Sequence, residues 1–151
     1  KFYLKQANTL AVLCDIAPRE NREKILDYVC ENLKKDEMQP YFYFYLLDAL
    51  IKANMFDKYG FDLIRRYESM IEKCDKGLCE AWEHFPGDCT HAWGGAPAYI
   101  LKKAISGLEI VEPAFKRIRL NPRLFGLKFA DFEIDNNGKL SDVVEGVISK
   151  L

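Results

Sequence analysis

The apolar residues of this chain change their period once, and the change divides it. From Leu4 they recur at helical steps (Leu4, Ala7, Leu10, Ala11, Cys14) as far as Ala17-Pro18, where the proline ring disfavours helical geometry in the residue before it. A first helix is expected over roughly 4 to 16. A second begins near Pro18-Arg19-Glu20 and carries Ile25, Tyr28, Val29 and Leu33 on one side. It ends in Lys34-Lys35-Asp36-Glu37, a charge run read as a solvated helix end. Pro40 opens P-Y-F-Y-F-Y-L-L-D-A-L-I-K-A, whose aromatic start would suit a strand. Its apolar run outlasts a strand, however, and Leu46, Leu47, Ala49, Leu50 and Ala53 favour a helix. A fourth helix, roughly 56 to 73, sets Phe56, Tyr59, Leu63, Tyr67 and Met70 against a polar face, and a fifth follows at about 92 to 105 with Pro97 in its first turn. Past Ser106-Gly107 the period becomes two. F-K-R-I-R-L alternates, Asn121-Pro122 breaks it, alternation resumes from Leu127 to Ile134, and Asp135-Asn136-Asn137-Gly138 reads as a hairpin turn. Ser141 to Leu151 fits a short helix as well as a strand.

Helices followed by strands is a segregated order, which disfavours a parallel βαβ sheet. The expectation is a mainly α chain with a β tail: antiparallel helical hairpins, then antiparallel strands. No repeat of 33 to 47 residues with matching signature positions argues for a solenoid. The 151 residues suit one ordinary domain, and 49% hydrophobic with 30% charged residues is the composition of a soluble globular protein. Because 22 basic side chains balance 23 acidic ones, nothing draws the chain to nucleic acid or to an anionic membrane. No apolar run approaches the roughly 18 to 20 residues of a membrane span. The five cysteines are odd in number, contain no C-x-x-C, and mostly occupy apolar helical positions. Buried thiols are therefore expected, rather than disulfides or a zinc site. Lys1-Phe2-Tyr3 does not look like a natural start, so the compartment stays open.

Between the fourth and fifth helices, Gly77 to Tyr99 gathers Glu80 and Glu83, both tryptophans (Trp82, Trp93) and both histidines (His84, His91). Gly87, Gly94 and Gly95 interrupt any regular helix there, so the segment reads as a long functional loop. Aromatic rings stack on the apolar faces of sugars while carboxylates and imidazoles bind hydroxyls, which makes the segment a candidate wall of a sugar site. Pattern alone leaves plainer readings open. Glu83 could be a solvated loop carboxylate, His91 could cap the fifth helix, Trp82 and Trp93 could be core residues, and His84 is read as structural. Glu80 and Glu83 would share a face if the segment were helical, but without a histidine in phase they make a weak case for metal. One side of the aromatic ladder Tyr41 to Tyr45 must be buried, leaving only the other for a ligand.

Several runs taken together resemble the C-terminal part of the α-L-rhamnosidases of glycoside hydrolase family 78. They are Q-A-N-T-L-A-V-L from Gln6, P-Y-F-Y-F-Y-L-L-D-A-L from Pro40, W-E-H-F from Trp82, C-T-H-A-W-G-G-A-P-A-Y from Cys89, and then G-L-x-I-V-E-P-A-F-K and L-N-P-R-L. The resemblance spans nearly the whole chain in order. It implies the last half of an (α/α)6 barrel over 1–106 and part of a C-terminal β-sandwich over 107–151. It also implies an inverting hydrolase of terminal α-L-rhamnosides that needs no cofactor and no metal. Trp82-Glu83-His84-Phe85 matches the family's W-E-x-(aromatic) motif, which makes Glu83 the expected general base. Glu80 is the rival, with Cys79 standing where the family has Trp. His91 and Trp93 match the family's H-x-W that lines the sugar pocket, with Trp82 beside them. The general acid belongs to upstream helices, and no residue here corresponds to it. The expected partner is a rhamnose-containing glycan, and the isolated chain is expected to be inactive and to self-associate through uncovered barrel faces. The other reading is a non-catalytic helical carbohydrate-binding or interaction module without the acid.

Overall fold

A computed structural model of the chain describes residues 4–34, 38–72, 77–83 and 92–128. The chain is mainly helical with a small antiparallel sheet toward its C-terminus, as its change of period predicts. Its helices are α1 (Lys5–Leu13), α2 (Arg22–Glu31), α3 (Pro40–Lys52), α4 (Phe56–Arg65), α5 (Glu68–Ile71) and α6 (Ala96–Ser106). Its strands are β1 (Glu109–Glu112) and β2 (Arg117–Arg119). The chain forms two compact units, Lys1–Leu101 and Lys102–Leu151.

In the first unit α3 is central, packing against α1, α4 and the 3-10 turn Ala92–Gly95. Pro40 sits in its first turn, where the missing N–H costs nothing. Tyr43, Leu46, Leu47 and Leu50 point inward at helical spacing and are fully buried. Around them lie Val12 of α1, Leu26 and Val29 of α2, and Phe56 of α4. On α2 the buried stripe runs through Leu26, Val29 and Leu33, whereas Tyr28, expected on that side, is exposed. Gly60 of α4 is needed because a Cβ there would lie 2.5 Å from the buried ring of Phe56.

Helix α1 stops at Leu13, short of the proline, because Asp15 adopts a left-handed φ of 61° and turns the chain back. Ile16 and Ala17 then donate to the carbonyl of Ala11 at 2.9 and 2.8 Å. From the end of α3, Lys52 Nζ donates to Leu13 O at 2.6 Å and meets Asp15 Oδ2 at 2.5 Å, and Arg22 holds the other carboxylate oxygen at 2.8 Å. A cation at a helix C-terminus answers both the unpaired carbonyls and the helix dipole. The helix expected over 56 to 73 is divided at Arg66 and Tyr67, whose amides bond three residues back (3.3 and 3.0 Å) before α5 resumes. Among the described residues the cysteines are less uniform than expected: Cys79 is buried, Cys30 half-buried, and Cys14 exposed where α1 ends, while Cys74 and Cys89 lie outside those residues.

In the second unit β1 and β2 pair antiparallel, Glu109 opposite Arg119 and Ile110 opposite Ile118, with a bulge before Glu112 meets Arg117. Ion pairs Glu109–Arg119 and Glu112–Arg117 flank the isoleucines. The strand begins at Arg117 rather than at Phe115, since Ala114 and Phe115 take left-handed φ values of 57° and 56° in the connecting turn. The main chain after β2 returns to the end of α6: Arg123 N–H donates to Ile105 O (2.8 Å) and Asn121 N–H to Gly107 O (3.3 Å). Of the alternation expected from Leu127 to Ile134, Leu127 and Lys128 are described and form no strand; the rest of it, the turn Asp135 to Gly138 and the segment Ser141 to Leu151 lie outside the described residues.

Candidate functional site

The segment rich in rare side chains is anchored at both of its described ends. Residues 77–83 are irregular rather than helical, so the shared helical face considered for Glu80 and Glu83 does not form. Cys79 and Trp82 turn inward and are buried. The Trp82 ring meets Tyr43 and Tyr67 at centroid distances of 4.8 and 4.9 Å, both edge-on, and its Nε1–H donates to Met38 O at 2.6 Å. Beneath it Tyr67 donates to Pro40 O (2.8 Å), and Arg66 donates to the Tyr43 hydroxyl (2.6 Å). Burial pushes both phenols above the ordinary tyrosine value, so each remains a neutral hydrogen-bonding group. Trp82 therefore holds the loop to the core. Glu80 beside it is half-buried and Glu83 is exposed.

At the other end Gly94 lies against the same loop. A Cβ there would sit 2.8 Å from Leu78 Cβ and 2.9 Å from Cys79 O, so only glycine permits this approach without a shift. The turn Ala92–Gly95 thus touches the glutamate-bearing segment directly. It includes the main chain of Trp93, while the Trp93 side chain, His84 and His91 lie outside what the structure describes.

Beyond that turn opens a groove of about 620 Å³, lined by Tyr41, Phe44, Tyr45, Ala92, Gly95, Ala96 and Tyr99. Its origin is a pair of helical spacings. Tyr41, Phe44 and Tyr45 share the face of α3 opposite Tyr43, Leu46 and Leu50. Ala92, Gly95, Ala96 and Tyr99 repeat at i, i+3, i+4 and i+7, so small residues form the floor and rings the walls. Phe44 and Tyr99 face each other with centroids 5.6 Å apart and planes 38° apart. One face of the aromatic ladder is thus buried and the other exposed, as its periodicity predicts. Tyr99 falls by pattern on the apolar side of the fifth helix, and its place in a groove was not legible in the sequence.

Among the described residues no group of three His, Cys, Asp or Glu side chains could hold a metal ion. Among them also, no helix is long and apolar enough to cross a membrane. No protein-family model matches the chain, and neither a curated protein nor a solved structure does.

Proposed function

We propose that the chain is the C-terminal part of a glycoside hydrolase of the α-L-rhamnosidase type, carrying the general base and one wall of the sugar site. The observation that supports this most is the shared turn: Ala92–Gly95 touches the loop bearing Glu80 and Glu83 on one side and lines an aromatic groove on the other. A carboxylate beside ring-lined space is what glycosidic chemistry and sugar recognition both require. In this reading Glu83, or Glu80 in its place, accepts a proton from water as it attacks the anomeric carbon. A carboxylic acid on an upstream helix, about 6.5–9.5 Å from the base, protonates the departing oxygen while the water attacks from the opposite face, and this single displacement inverts the configuration. His91 and Trp93 contact the sugar, and Trp82 holds the loop.

By itself the 151-residue chain is then inactive, because the general acid contributes about 10²–10⁴-fold and half the pocket is missing. The test is to assay the purified chain on an aryl α-L-rhamnoside and to read the gene upstream of Lys1. No hydrolysis, with further helical hairpins and an acidic catalytic segment encoded upstream, supports the reading. Hydrolysis by the chain itself, abolished by Glu83→Gln, overturns the division of acid and base. A start codon just before Lys1 favours the non-catalytic carbohydrate-binding module, to which the groove's lining, uncharged among the described residues, is also suited.

A further inference from the structure

We propose that the groove between α3 and the Ala92–Tyr99 segment is a stacking site for an uncharged saccharide ring, its described lining including neither loop glutamate. It rests on the carbohydrate reading above but not on hydrolysis. Among the described residues the lining contains four aromatic rings, two alanines and one glycine, and no ionisable side chain other than the tyrosine hydroxyls. A charged ligand would lose hydration on entry without meeting a counter-ion, whereas a neutral sugar meets ring faces for its C–H groups and phenolic oxygens for its hydroxyls. The volume falls within the range of about 300–1,000 Å³ usual for small-molecule sites.

Two further features distinguish this groove from a surface left open by chance. Tyr41, Tyr45 and Tyr99 stay 44%, 37% and 55% exposed although Phe44 packs against Tyr45 and Tyr99, its centroid 5.4 and 5.6 Å from theirs. Rings so packed are pre-oriented, and little side-chain freedom remains to be lost on binding. The floor is also free of obstruction, since a Cβ added at Gly95 meets nothing within 4 Å.

Gly95 supplies the decisive variant, because a side chain there enters the groove without displacing the fold. Saturation-transfer NMR on the 151-residue chain would use methyl α-L-rhamnopyranoside, methyl β-D-glucopyranoside and sodium galacturonate as probes. The expected result is transfer to the ring C–H protons of at least one neutral glycoside, with galacturonate at least tenfold weaker. Gly95→Leu and Tyr99→Ala each weaken binding at least tenfold, Tyr99→Phe retains most of it, and circular dichroism shows all three variants folded. If Gly95→Leu binds the glycosides as the parent chain does, the groove proposal falls while the carbohydrate reading stands. If no neutral glycoside binds, or galacturonate binds more tightly, the proposal is overturned. It is likewise overturned if dilution shifts the Tyr41 and Tyr99 resonances and shows the groove covered by a second copy of the chain. Groove binding by a longer protein that fails to cleave aryl rhamnosides leaves the proposal standing and removes the hydrolase reading.

Discussion

Trp82 Nε1 and the main-chain oxygen of Met38 lie 2.6 Å apart, joining the glutamate-bearing loop to the residues that lead into α3. Trp82→Phe keeps an aromatic ring against Tyr43 and Tyr67 but strands the Met38 carbonyl. Leaving a buried acceptor unpaired costs about 1–3 kcal/mol. Trp82→Ala adds a cavity and should cost about 3–5 kcal/mol. Urea denaturation checks both, and an unchanged midpoint for Trp82→Phe would show that the hydrogen bond contributes nothing net.

Gly107 combines a φ of +59° with a Cβ position only 2.0 Å from Asn121 O. Gly107→Ala thus meets a left-handed penalty of about 1–2 kcal/mol and a backbone collision that no side-chain rotation relieves. The expected result is loss of the Asn121–Gly107 and Arg123–Ile105 hydrogen bonds. It is read as large amide shifts and faster exchange at Asn121 and Arg123 in NMR spectra.

Within a hydrolase that contains this chain, Glu83→Gln keeps size and hydrogen-bonding reach but takes no proton from water. Turnover should collapse while the Michaelis constant changes only a few-fold. His91→Ala, losing a bond to a sugar hydroxyl worth about 0.5–1.5 kcal/mol, should raise the Michaelis constant as well as lower the rate. Glu80→Gln should cost far less than Glu83→Gln. Steady-state kinetics that rank Glu80 first would move the base to the half-buried position.

Stability should fall at both ends of the pH range. Hydrogen bonding from Lys52 holds Asp15 below its ordinary value, and hydrogen bonding from Lys58 does the same for Asp27. A depressed carboxylate pKa contributes stability above the unfolded value of about 3.9, and this is lost as pH falls through the folded one. Burial pushes the Cys30 thiol up to about 12. Its contribution is complete below the unfolded value of about 8.5 and fades as pH rises toward the folded one. Melting temperatures from pH 2 to 11 check this. Asp27→Asn should flatten the acid limb and Cys30→Ala the alkaline limb.

Helix existence was legible because apolar spacing carries it, but several boundaries depend on partners distant in sequence. Nothing local divides the helix after Arg65. The Tyr67 hydroxyl reaches Pro40 O and its ring supports Trp82, and the chain tightens there. β1 was missed because Glu109 to Glu112 is too short to show a period, and it is a strand only through Arg117–Arg119. Phe115 continued the alternation by pattern yet lies in the turn, 65% exposed. At the candidate site, the glycines and polar residues of the segment made its irregular path at 77–83 legible. Periodicity could not say that Trp82 would be buried, or that Tyr99 would face a groove, because both depend on how α3 meets the later segment.

Lys52 bears on the order in which the chain can become ordered during synthesis. α1 has nine residues, fewer than the about 12–15 at which an isolated helix becomes even marginal in water, and no side chain caps its N-terminus. The ammonium that meets its last carbonyls is 39 residues further along. On a ribosome adding about 5–20 residues per second, the turns of α1 wait several seconds for the residue that finishes them. Helix α1 is thus finished only once α2 and α3 have both been synthesised.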